Sequence, residues 1–547
     1  MKKNGFTMVE LIAIIVIMVL MILIIFPSIT STISKSEQKQ KQEELNNIYM
    51  AAEDYLMFNY DNYEYMDIVG NTAYIYVLDL INQKYIDINQ TNPIDGQDFN
   101  AKDVVKIIRN EDRTFKYELT KVNSLIEILL KQYQEGATTG LLKDSDNPNL
   151  YYYKGTNEQV ANNFLWYGGH QWRVLEFDTN ENTVTLISQQ PLTAIQPASS
   201  SWTTEEEYTS SYINSWLNDY FWNSLDGSIQ NNIKDNTFNV GIPHNVSEIT
   251  TVQKVGLLDE EQYRKVGNKD SFLDIKDVFL LGSSYTLFAR YVDYDGNIDN
   301  NSVLYTYGIR PVIKIYDLVN IIGDGTLTNN YRIEKNITNM NNAQVGEYIN
   351  LPYKGTDNAC GSDKICTFRI VSKNNGNIKI ILNGLLLDLS TWGNSKYDDN
   401  MTTDNIIYTP LKSFVGYIDE KYITMGSFGV GMYKYGDSYT IAQESKIKFN
   451  VGIPTIGEIF SGNDIDMSVF YPKTFVDVNT IENPVVSDGY WTMNRSSSGY
   501  AHSITKNGYS FYEVIENESS IRPVIFLKDN LKFTGGDGTA QNPYTVD

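Results

Sequence analysis

Three histidines (His170, His244 and His502) and two cysteines (Cys360 and Cys366) are all the imidazole and thiol in a chain of 547 residues. That leaves little material for a zinc site or a histidine-based nucleophile relay. The best metal candidate, "DYDGNID" at Asp293 to Asp299, superficially resembles a calcium loop, but it lacks EF-hand spacing and the closing glutamate. Pairs such as Asp464/Asp466 are ordinary loop carboxylates, since a glycosidase needs two acids at a fixed separation that sequence does not show. No GxSxG, HExxH, P-loop or dinucleotide fingerprint occurs. The cysteines enclose "GSDKI", and a local disulfide closing a hairpin or loop is the favoured reading, with free thiols the alternative. The chain reads as a non-enzyme, with no cofactor and no metal.

Binding is therefore the chemistry to look for, and charge narrows it. The formal charge of −23 excludes nucleic acid and anionic lipid surfaces as general partners. Aromatics at 13%, mostly 40 tyrosines, fit globular β-rich domains and not a disordered tail. The length implies several domains.

The first element to place is at the amino terminus. From Phe6 to Phe26 only Thr7 and Glu10 are polar, a run long enough to cross a ~30 Å hydrocarbon core as a helix. Lys2 and Lys3 precede it, so the positive-inside rule predicts a single-pass protein with a cytoplasmic tail and residues 30 to 547 outside. The run lacks the small-residue end of a cleaved signal peptide. A carboxylate there is costly unless paired, so Glu10 calls for a partner.

"KKNG" followed by "FTMVEL" resembles the prepilin leader of type IV pilins and pseudopilins. The resemblance implies cleavage after Gly5 by a prepilin peptidase and N-methylation of Phe6. It also implies pairing of Glu10 with the Phe6 amine of a neighbouring subunit, and a helix-bending Pro27. Leader 1–5 would precede a pilin helix 6–60 with its transmembrane part at 6–27. Beyond Pro27 an amphipathic stripe of Leu45, Ile48, Tyr49, Ala52, Tyr55 and Leu56 is predicted to pack on a small pilin-like domain, 61–135. There "VVKII" and "FKYEL" read as strands around "RNEDR".

The remainder contains a duplication. "YKGT" at Tyr153 and Tyr353, "WRVL"/"FRIV" at Trp172 and Phe368, and "FNVGIP" at Phe238 and Phe449 recur in order. "IRPVI" at Ile309 and Ile521 and "GDGT" at Gly323 and Gly536 follow. The offsets drift slowly from about 200 to 213, which predicts two copies of one module, 148–334 and 345–547. Asp295-Gly296 and Asn507-Gly508 share the "IRPVI" offset of 212, which favours a type I′ hairpin over calcium at Asp293–Asp299. The β-rich layout with a Trp/Leu helix at "SYINSWLNDYFWNSL" is similar to C-type-lectin-like, sulfatase-modifying-factor-like surface modules. That resemblance implies a loop-rich face binding carbohydrate or protein. The cysteines, near the start of the second copy, do not match the placement a cysteine-dependent oxidase of that class needs.

The expected fold is α+β and multidomain: a long pilin helix, a small pilin-like α/β domain and two β-rich lectin-like modules. The expected function is a minor pilin-type filament subunit displaying two recognition modules. It would sit in the cell membrane before assembly and in a surface filament afterwards. Its partners would be other pilin subunits, the peptidase, the bilayer and an external carbohydrate or protein ligand. A pseudopilin of a secretion or DNA-uptake machine, or a tethered surface binder that does not polymerise, are the alternatives. Loop aromatics Trp202 and Trp392 are the candidate ligand platforms, with anchoring to the core the competing role.

Overall fold

The computed structural model describes residues 8–546, except 60–65, 67–71, 137–139, 196–197, 199–203, 242–248, 268, 274–277, 286–287, 294, 304–306, 335–339, 341–342, 357–358, 375–376, 394–406, 431–432, 435–439, 442–444, 456–488, 498 and 505–509. The chain divides into two compact units, Met1–Val122 and Asn123–Asp547.

In the first unit, helix α1 (Met8–Phe58) ends in a stripe of Ile48, Ala51, Ala52 and Leu56, all buried at the three- and four-residue spacing that puts them on one face. The stripe packs on an antiparallel sheet of Thr72–Tyr76, Asp103–Arg109 and Phe115–Lys121. Tyr49 fixes the contact, stacking on Tyr117 at 5.8 Å while its hydroxyl accepts the Leu119 N–H at 3.2 Å. A short helix, α2 (Val77–Asn82), adds Val77 and Leu80 to the same core.

The expected α+β fold led by a pilin helix with a transmembrane half is corrected here. The chain is β-rich, with its other helices short. Among the described residues no helix is long and apolar enough to cross a membrane. A spanning helix needs ~20 consecutive apolar residues. The span at 6–27, the single-pass assignment and the membrane localisation built on it are therefore not supported.

The second unit opens with α3 (Leu125–Glu135), a segment that falls within the expected small domain 61–135. Ser124 and Glu127 form a capping box at its start, and Gly136 closes it in the left-handed region at φ 64°. Its apolar face, Leu125, Ile126 and Leu129, enters the core of the first module. Gln132 donates to the Tyr331 hydroxyl at 2.5 Å. This helix and the first module thus share one core.

Each module has a larger sheet and a five-stranded one. In the first, the five-stranded order is Ile298–Ser302, Phe288–Val292, Val278–Tyr285, Tyr307–Ile309, Thr193–Ile195. In the second it is Ser510–Val514, Tyr500–Ile504, Tyr490–Ser497, Glu518–Ile521, Leu386–Thr391. Both contain one parallel pairing at the corresponding place, Val278 with Gly308 and Tyr490 with Ser520. The register shifts also correspond, Phe279/Ser283 and Ser283/Tyr285 against Trp491/Arg495 and Arg495/Ser497. Shared bulges in non-local pairings are a stronger mark of duplication than shared words.

Register also removes one of those words. Phe164 pairs with Arg173 and Tyr348 pairs with Arg369, so Phe164–Tyr167 corresponds to Tyr348–Pro352. Tyr153 lies before the first of these strands and Tyr353 after the second, so the two "YKGT" stretches are not equivalent. Between the strands the first module needs only Gly168 and Gly169, since Tyr167 pairs with His170. The second inserts a longer loop between Pro352 and Ile365, and the Cys360–Cys366 disulfide ties that loop to the strand that follows it.

The "IRPVI" recurrence marks a corner between the two sheets. The Arg310 guanidinium, buried, donates from Nε to Ser188 O at 3.0 Å, from Nη1 to Leu273 O at 3.0 Å and from Nη2 to Gln189 O at 3.3 Å. Arg522 repeats the first contact on Leu382 O at 2.8 Å. Burial pushes Arg310 down to about 9. The modules meet where Gly169 lies against Val345 and Gly346, a Cβ on Gly169 falling 1.9 Å from Val345 O. Arg332 also pairs across the junction with Asp537 at 2.8 Å.

Candidate functional site

Gly5, Phe6 and Trp202 lie outside the described residues, as do His244, Asp464 and Asp466. Glu10 and Pro27 fall within the backbone span of α1. Trp392 is 1% exposed and donates from its indole to Thr492 O at 2.9 Å, which anchors it in the core of the second module. The cysteines are joined. The Asp293 carboxylate accepts the backbone N–H groups of Asp295 and Asn297, both at 2.8 Å, and these bonds hold it below the usual carboxylate range. Val292 pairs with Ile298, so the loop is longer than the expected two-residue type I′ turn, with Gly296 at φ 80°. Asn507-Gly508 lies outside the described residues. Among the described residues no cluster of three His, Cys, Asp or Glu side chains is placed to hold a metal ion.

His170 is part-buried at the junction, packed on Phe221 at 5.6 Å and edge-on to Trp172 at 6.3 Å. Burial, with the Arg369 charge of the second module adding to it, pushes the imidazole down to about 3. It is a neutral packing group at physiological pH.

A different surface brings binding chemistry together. Strand pleating puts Tyr291 and Ala289 on one face of the first module's five-stranded sheet, with their partners Asp299 and Asn301 beside them. Tyr307 reaches the same face from across the central strand, its ring 4.6 Å from that of Tyr291 and tilted by 32°. Its hydroxyl accepts from the Asn301 amide. Both tyrosines pack their bodies on the core yet stay part-exposed, and Asp299 is exposed. The neighbouring cation, Arg290, points through the opposite face, to Glu260 at 3.0 Å and Asn300 at 2.8 Å. Among the described residues the patch offers two ring edges, an amide and a carboxylate, without a positive charge.

The second module spends the equivalent face on packing. At the offset of 212, Tyr291 and Tyr307 become Ser503 and Ser519, exposed by only 1% and 2%. Phe279 becomes Trp491, whose indole reaches Ser390 O at 2.7 Å, two strands away across the strand of Ser519. An indole lying across Ser519 leaves no room for a tyrosine there. Both serine hydroxyls lack hydrogen-bond partners, which marks this face as closed packing. Sequence reasoning passed over Tyr291, Tyr307, Asp299 and Asn301. The available signal was this tyrosine-to-serine exchange between copies at a constant offset.

The sequence model of one family, described as a domain of unknown function (DUF6273), matches residues 182–316. That segment holds the whole five-stranded sheet of the first module, its tyrosine face and the Arg310 corner. No curated protein and no solved structure matches the chain.

Proposed function

We propose that this chain is a subunit of a pilin-type filament that displays two related recognition modules. The observation that carries the reading is the bare apolar start of α1. Met8, Val9, Ile12, Ile15, Val16, Met18 and Val19 are 49–79% exposed, and Met8, Ile12, Ile15 and Val19, spaced by four, three and four residues, line up along the helix. Such a seam on a helix calls for a neighbouring helix in an assembly. The prepilin-like residues Gly5, Phe6 and Glu10 support the same reading from sequence. The modules fit display because their scaffold is shared to the bulge while their faces differ, as expected when a scaffold is kept and recognition diverges. The test is cysteine cross-linking through Ile12→Cys and Val19→Cys in cells that produce the protein. Ladders of cross-linked subunits, with Phe6 as the recovered amino terminus by mass spectrometry, are expected. A strictly monomeric product with Met1 intact would overturn the reading.

A further inference from the structure

We infer that the first module is built to stay folded under tension, because the chain enters and leaves it through one clasp whose strands are loaded in shear. The inference rests on the display reading above, in which load reaches the second module through the first, and it names the element that carries that load. The middle of the clasp is Leu318 to Ile322. On one side the entering chain pairs antiparallel, Ser124 opposite Val319, with the Leu125 N–H donating to Leu318 O and the Asn320 N–H to Asn123 O, both at 2.8 Å. The Asn123 side chain adds two bonds to Ile321, its amide donating to the carbonyl at 3.1 Å and its oxygen accepting the N–H at 3.0 Å. On the other side the leaving chain also pairs antiparallel, Arg332 opposite Ile322 and Ile333 opposite Ile321, with the Glu334 N–H donating to Asn320 O at 2.8 Å. Asn320 serves both sides from the left-handed region at φ 58°, which asparagine tolerates, and its amide also donates to Glu334 O at 3.3 Å.

Two antiparallel pairings to one strand make the entering and leaving chains parallel. Both run from the Ile322 end towards the Leu318 end, so tension draws the first back towards Ile322 and the second on towards Leu318. Bonds loaded along the strands share the force and give way together, whereas a hairpin pulled open from its ends loses them one at a time. Everything between Leu125 and Leu318, the five-stranded sheet and the Arg310 corner included, lies off the load path while the clasp holds. The leaving strand is also held from behind, the Trp166 N–H donating to Tyr331 O at 2.8 Å and the Tyr331 N–H to Phe164 O at 2.9 Å, with the Tyr331 ring buried. Neighbouring ends are common in domains, but neighbourhood alone does not set this register. The second module repeats it: the Met340 N–H donates to Leu531 O at 3.1 Å, and Phe533–Gly535 pairs antiparallel with Tyr544–Val546, with Tyr544 buried in the place of Tyr331. The clasp therefore belongs to the shared scaffold.

The experiment is unfolding of the full chain at constant force in optical tweezers, with handles on Lys121→Cys and Glu334→Cys so that only this module is stretched. The expected result is one all-or-none extension of about 70 nm, the length of the roughly 210 residues released. Asn123→Ala removes both side-chain bonds to Ile321 and should shorten the folded lifetime under load about tenfold. Arg310→Met, which weakens the corner and lowers Tm, should leave that lifetime within about twofold of the parent, because its contacts lie off the load path. The inference is overturned if the extension begins with smaller steps, if Asn123→Ala leaves the lifetime unchanged, or if Arg310→Met shortens it as much as Asn123→Ala does. These readouts come from the purified chain and are separate from assembly. A short-lived clasp in a protein that still forms cross-linked ladders would overturn this inference alone, and a monomeric product with Met1 intact would overturn the display reading whatever the lifetime.

Discussion

Lowering the pH should destabilise the second unit through His170 in particular. The imidazole falls from 6.5 to about 3 on folding, first through burial and then through the Arg369 charge. Between those values the unfolded chain binds a proton that the native state refuses. Stability therefore rises with pH across the window, is complete above about 6.5, and is lost progressively towards 3. At one and a half units below the unfolded value the full shift would cost about 2 kcal/mol. His170 keeps some surface in solvent, so about 1 kcal/mol is the better expectation. The assay is urea unfolding of residues 123–547 at pH ~5 and pH ~7.5, for the parent and for His170→Gln. Carboxylate titration affects both proteins alike and cancels in the comparison, so the parent should lose about 1 kcal/mol more than the variant. Arg369→Met should shrink that excess by removing the second cause. Equal losses in parent and variant would refute the account of His170 as a neutral packing group.

Further outcomes follow from the packing. A fragment starting at 148 should be less stable than one starting at 123, by about 4 kcal/mol or more, because it lacks the buried Leu125, Ile126 and Leu129 of α3; equal Tm values would return that helix to the first unit. Gly169→Ala places a Cβ 1.9 Å from Val345 O at φ 76° and should cost about 2–4 kcal/mol, read as a lower Tm for residues 123–547. Arg310→Met removes a donor from three carbonyls and should cost about 3 kcal/mol; a Tm matching the parent would show that the corner holds without its guanidinium.

The sequence by itself determined what depends on neighbours in the chain. The stripe Ile48, Ala52, Leu56 announces a helix buried on one side because side chains three and four apart share a face. "VVKII", "FKYEL" and the recurring "IRPVI" announce strands and a duplicated module through the same local logic. Apolarity also suggested a membrane span at 6–27, whereas among the described residues no helix is long and apolar enough to cross a membrane. What the tertiary structure decided was everything set by distant pairing. Register showed that "YKGT" repeats by coincidence, and packing showed that α3 enters the first module's core and that Trp392 is held by Thr492 a hundred residues away. It also placed Tyr291 beside Tyr307 across a central strand, which no spacing along the chain encodes. The physical reason is that a side chain's face is fixed by local backbone geometry, whereas its neighbours are chosen by strand order. Strand order is a balance of burial and pairing over the whole module.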